Sequence, residues 1–152
     1  MADPKSYIGG TLQAIVGTPA TVDASGFNTL FGGAPVTIGK VVSISQIGDK
    51  HADISSTTIS PGRTFHQNGA ADGGTITVTV LYDSAGDAGL QLIAAQNGGN
   101  TTVSFKIVDP DSKVSYLYGI VGNLQDAQRD AQSMKSFTFT IAVNSATIRV
   151  SL

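Results

Sequence analysis

His51, Asp53, His66 and Asp72 lie in one stretch of the chain and carry the side chains best suited to chemistry. Imidazole nitrogens and carboxylate oxygens are what a divalent metal would take. Their spacing matches no standard ligand motif, however, and neither histidine sits in a periodic segment. Solvated loop side chains are the preferred reading, and no metal site is expected. Asp109 and Asp111 flank Pro110 and are near enough for paired acid–base work. Asp-Pro-Asp-Ser is equally turn chemistry, with aspartate side chains bonding nearby backbone N–H groups, and that reading is favoured. A serine-rich chain always admits some Ser-His-Asp combination, but no Gly-x-Ser-x-Gly elbow occurs. No Gly-x-x-x-x-Gly-Lys-Ser/Thr loop cradles a phosphate. The expectation is a protein with no catalytic residues, no cofactor and no enzyme activity.

Composition narrows the class further. Of 152 residues only 13% are charged, against roughly 25% in an average soluble protein. All 11 acidic residues are Asp, the basic residues number nine, and the net charge is -2. Phosphate neutralisation needs clustered cations, so a general nucleic-acid binder is excluded. The absence of cysteine removes disulfides and thiolate chemistry. No apolar run reaches the ~18 residues of a membrane span. Met1-Ala2-Asp3-Pro4-Lys5 lacks the apolar core of a signal peptide, which points to synthesis and first use in the cytoplasm. Asn100-Thr101-Thr102 fits the glycan acceptor pattern, but nothing indicates a secretory route.

The elements that must position these residues are mostly strands. Apolar residues alternate at Ile76, Val78, Val80 and Tyr82, at Phe137, Phe139, Ile141 and Val143, and at Val103, Phe105 and Ile107. Side chains alternate across a strand with period two, so each run reads as half buried. Val114, Tyr116, Tyr118 and Ile120 repeat the pattern, and Asp109-Pro110-Asp111-Ser112 joins the last two runs into a hairpin. Thr11 to Val16 and Val36 to Ile47 read as strands, the second long, with Lys40 and Gln46 interrupting its apolar face, and Ala146 to Leu152 alternates as well. One helix is expected, capped by Asp83 or Ser84, with Leu90, Ile93 and Ala94 as its apolar stripe and Asn97-Gly98-Gly99 as its end. Gly17 to Pro35 and Gly48 to Gly74 read as loops. The second is far longer than the usual ~4–6-residue connection, so it is either functional or conceals an element. Few charges and 31 Ser or Thr residues suit a surface that meets other protein surfaces.

From Val36 to Ile148 the chain resembles the major tail tube protein of long, flexible-tailed bacteriophages. The resemblance rests on an ordered set of features: the strand Val36 to Ile47, then Ala52-Asp53-Ile54-Ser55-Ser56-Thr57, then Asn68-Gly69 and Asp72-Gly73-Gly74. Thr75 to Asp83 follows, similar to the family's strand ending in Tyr-Asp, and then the helix. Val103 to Asp111 is similar to its strand ending in Pro-Asp-Gly, with Ser112 where that glycine usually falls.

The resemblance implies a mainly β fold, a β-sandwich or small barrel with one flanking helix and long inter-strand loops, in a single domain over residues 1–152. It implies that residues 1–10 and 145–152 are arms that order against neighbours. Six subunits would form a ring, and rings would stack into a hollow tail tube through which viral DNA passes during ejection without specific binding. The subunit would be made in the host cytoplasm and end in the virion tail. Its partners would be itself, the tail tip, a tape-measure protein and a tail terminator. The same fold serves type VI secretion tubes and gene transfer agents, which stand as alternatives alongside a monomeric virion β-sandwich binding module. In the family the long loop after the second strand touches the adjacent ring, which maps to Gly48 to Gly69. Asp53, Ile54, Thr57, Arg63 and Phe65 are the expected contact residues there.

Overall fold

A computed structural model of the chain describes residues 8–82 and 88–150. Ten strands and two helices occur among them: β1 Thr11–Val16, α1 Ala24–Phe31, β2 Val36–Ile38, β3 Val41–Ile44, β4 Lys50–Thr57, β5 Thr64–Asp72, β6 Thr75–Leu81, α2 Ala88–Gln96, β7 Val103–Val108, β8 Val114–Asp126, β9 Ser136–Val143 and β10 Ile148–Val150. Eight strands form one antiparallel sheet in the order β2-β1-β7-β8-β9-β6-β3, with β10 paired to β8. The expected mainly β fold is therefore what forms.

The long strand expected over Val36 to Ile47 is instead two strands, and the break shapes the molecule. β2 pairs with β1 while β3 pairs with β6, at opposite ends of the sheet. Only Gly39 and Lys40 separate them, so at 3.8 Å per residue the two ends lie within about 11 Å. The sheet must curl on itself into a small barrel. Lys40 turns the corner with φ +57°, and its carbonyl accepts from the Leu81 N–H at 3.0 Å.

Alternation of apolar side chains fills the barrel. Ile76, Val78 and Val80 from β6, Phe137, Phe139 and Ile141 from β9, and Val103, Phe105 and Ile107 from β7 all point inward and are buried, as the periodicity predicts. Phe139 lies 6.5 Å from Phe105 and 6.4 Å from Phe137, centroid to centroid. α2 closes the core with Ile93, supported by Leu90 and Leu92. Ala94, expected on that stripe, is exposed. The helix ends where the sequence predicts, with Gly98 at φ +76°. Its proposed caps, Asp83 and Ser84, lie outside the described residues.

Two corrections concern the second face of β8. The core-facing residues of that strand are Leu117 and Val121, not the series Val114, Tyr116, Tyr118 and Ile120. Tyr116, with Val114 and Tyr118 beside it, packs under a second helix, α1, inside the segment read as the Gly17 to Pro35 loop. Phe27 of α1 stacks on Tyr116 at 5.2 Å, and Phe31 meets the same ring at 5.8 Å. Asp23 caps α1, its carboxylate accepting from the Gly26 N–H at 2.7 Å, which with the Thr21 hydroxyl holds its pKa below the ordinary value. Gly26 is obligatory, since a Cβ there would fall 1.9 Å from the Thr21 carbonyl oxygen. The signals were the aspartate cap and the i, i+4 pair Phe27 and Phe31, masked by Gly26 and Gly32–Gly33.

The β7–β8 hairpin forms as expected, and the Asp109 carbonyl accepts from the Ser112 N–H at 2.9 Å. Ser112 sits at φ +69°, the left-handed region that favours glycine. Ser112→Gly is expected to raise stability by about 0.5–1 kcal/mol, read as a higher urea midpoint at unchanged slope. Residues 145–150 of the expected C-terminal arm lie on the barrel: the Tyr118 N–H donates to the Ser145 hydroxyl at 2.9 Å, and β10 pairs with β8. Of the N-terminal arm, residues 1–7 lie outside the described residues.

Candidate functional site

The stretch read as the Gly48 to Gly74 loop is a second sheet of two strands, β4 and β5, standing outside the barrel. Every residue of β4 is exposed, and every residue of β5 except Gly69, which is half-buried. The missed signal has a physical reason. Neither face of this hairpin meets the core, so its sequence has no apolar–polar alternation to read.

The hairpin base is set by close packing. A Cβ on Gly73 would fall 2.7 Å from Val143, so only glycine lets β5 turn into β6 here. The Asp72 carboxylate accepts from the Gly74 N–H at 2.9 Å, and the Gly74 carbonyl accepts from the Val143 N–H at 3.0 Å. An open cleft of about 1140 Å³ lies beside the base, with Asp49, Asp72, Lys50, His51 and Arg149 on its walls. Acids and bases alternate there, so the cleft presents no single sign of charge to a ligand.

Register divides the hairpin into two faces. Asp53, Ser55 and Thr57 stand opposite Asn68, His66 and Thr64 on one of them. His66 Nδ1 lies 3.0 Å from the Asp53 carboxylate, and the Thr57 and Thr64 hydroxyls are bonded at 2.8 Å. The other face carries Ile54 and Ser56 opposite Gln67 and Phe65. Ile54 and Phe65 are therefore diagonal neighbours, and both are more than half exposed. Ile54 also covers Gly69, where a Cβ would sit 3.1 Å from its side chain. Arg63 follows the tip turn, its carbonyl accepting from the Thr58 N–H at 3.1 Å, and Ile59 at the tip is fully exposed.

Five residues were expected to share one contact surface. The structure places all of them on this hairpin but splits them, with Ile54 and Phe65 on one face, Asp53 and Thr57 on the other and Arg63 next to the tip. Ile59 is a further exposed apolar side chain on the same hairpin, and its polar neighbours Thr58 and Ser60 give no sequence pattern that marks it. Of the four side chains considered for a metal, Asp53 and His66 meet as a pair, and among the described residues no group of three could hold an ion.

Elsewhere, Tyr82 bonds its hydroxyl to Asp126, whose other oxygen accepts from Arg129 at 2.7 Å, while Lys135 stands 4.3 Å above the Tyr82 ring. The Tyr82 hydroxyl, and then Arg129 and Lys135, hold the Asp126 carboxyl below its ordinary pKa, and the same contact pushes Tyr82 up. This cluster ties the β8–β9 connection to the end of β6.

No protein-family model matches the chain, and no curated protein matches it in sequence. Solved structures do. The chain is similar, at 10% identity and a TM-score of 0.66, to a structure of the PVC sheath/tube terminator of an extracellular contractile injection system, with 99% of each chain covered. It is similar at 12% identity and 0.64 to the tube-terminating cap of the anti-feeding prophage, covering 100% of this chain and 94% of that one. It is similar at 17% identity and 0.56 to a structure of the tail of an empty GTA particle refined with C6 symmetry, covering 80% and 91%. These likenesses show that the chain has the fold of tube and tube-terminator proteins. The structures it resembles are tail and tube components rather than enzymes.

Proposed function

We propose that this protein is a self-assembling tube subunit, and that the β4–β5 hairpin joins one copy to the next. The observation that carries the reading is a hairpin exposed on both faces beside a tightly packed barrel. An isolated two-stranded hairpin is marginally stable in water, so this one gains its stability when a partner covers it. Ile54, Ile59 and Phe65 give that partner apolar surface to bury. In the finer form of the proposal, six copies close a ring and rings stack into a hollow tail tube, with tail-tip, tape-measure and terminator proteins as further partners. DNA would pass along the lumen. A chain with net charge -2 and few cations would not grip phosphates there.

The likeness to contractile injection systems favours a second reading, in which the tube belongs to such a machine rather than to a flexible phage tail. Both readings share the assembly step. Negative-stain electron microscopy of the concentrated protein is expected to show hollow tubes or stacked rings. Uniform single-subunit particles at every concentration would overturn self-assembly by this chain.

A further inference from the structure

We propose that the hairpin's receptor is the groove beside β3 on a second copy of this chain. Ile54 and Phe65 would seat against Val42, Ile44 and Ile47, with Ile107 beneath them, and Arg63 would pair with Asp109. The inference rests on the reading that the hairpin joins copies, and it adds where the hairpin docks.

The groove has a volume of about 350 Å³, room for a side chain or two rather than a large ligand. Val42, Ile44 and Ile47 with two serines form its walls over Ile107, and Asp109 is the only charged side chain among the described residues that line it. β3 ends the sheet path, so its outer edge pairs with no strand among the described residues. Val42 on it is 58% exposed. β3 carries neither a charge nor a proline, and only its four-residue length and the register shift between Val41 and Ser43 blunt this edge. Its own hairpin does not cover it, since β4 and β5 are exposed on both faces.

The two surfaces match in order as well as in kind. On the hairpin an apolar residue and a cation are two positions apart, Phe65 and Arg63. At the groove Asp109 stands two positions after Ile107, which is nearly buried and forms the floor beneath Val42, Ile44 and Ile47. Arg63 immediately precedes β5 and Asp109 immediately follows β7, so each charge stands at a strand end beside the apolar surface it would accompany. Neither Arg63 nor Asp109 takes part in the ion pairs formed within the described chain. Knob and groove are different patches of one molecule, so the contact is head-to-tail and continues from copy to copy instead of closing a two-fold dimer.

Charge exchange tests the seat. Arg63→Asp and Asp109→Arg are each expected to lower the polymer fraction at least tenfold in sedimentation velocity, because each sets like charges together. The double exchange is expected to restore polymer to within a few-fold of the unaltered protein. Melting curves on dilute protein check that each variant folds. If Asp109→Arg does not fold, Arg63→Ala and Asp109→Ala replace the exchange, and the double alanine variant should then be no worse than either single. Single reversals without effect, a double exchange that stays unassembled, or additive alanine effects would overturn the seat. Unaltered protein that polymerises while the exchange fails overturns only the seat; unaltered protein that never polymerises overturns the assembly reading with it.

Discussion

Ile54→Asp is expected to abolish assembly and leave the subunit folded. Ile54 is 54% exposed in the single chain, so a carboxylate there stays hydrated. Surface changes of this kind fall within about 0.5 kcal/mol, which for a chain of this size shifts the melting temperature by no more than about 2 °C. The same carboxylate inside a copy-to-copy contact loses its water and finds no cation in an apolar seat. An uncompensated buried charge costs about 3–5 kcal/mol, and each 1.4 kcal/mol is tenfold in affinity. The concentration needed for polymer should therefore rise by more than a hundredfold. Sedimentation and negative-stain images at matched concentration measure this. Tubes of normal length from Ile54→Asp would remove the hairpin from the interface.

Phe139→Ala should do the opposite, weakening the subunit itself. Phe139 is wholly buried in β9, between Phe105 and Phe137. Removing its ring leaves a cavity in a strand held in ladder register with β6, where Phe139 stands opposite Val78, so the backbone has little freedom to close in from that side. The expected loss is about 3–5 kcal/mol, or a fall in melting temperature of roughly 6–20 °C. Thermal unfolding followed by circular dichroism reads it. A fall below about 2 °C would mean that the barrel is not packed through this residue.

These two variants separate what could be read along the chain from what could not. β6 and β9 were legible because one side of each faces the core and the other is at least partly open to water. Ile76, Val78 and Val80 alternate with threonines for that reason, as do Phe137, Phe139 and Ile141. The β7–β8 turn was legible because Asp109-Pro110-Asp111 has backbone preferences of its own. α1 was hidden by its glycines, one of which Thr21 makes obligatory through a contact five residues away. The break at Gly39–Lys40 was hidden because a single interrupted apolar run can serve one strand or two. Only the pairing of β2 with β1 and of β3 with β6 distinguishes these cases.

The candidate site lies at the other extreme. The sequence alone determined a charge-poor, mainly β chain, and a long segment between Gly48 and Gly74 that had to be functional or misread. Periodicity records only which side chains the chain buries against itself, and a hairpin exposed on both faces buries none. That Asp53 meets His66, that Ile54 and Phe65 share a face while Asp53 and Thr57 turn away, and that β3 is left with an open edge were all decided by register and strand order. Both are set by contacts between residues distant in the chain, which no local pattern encodes.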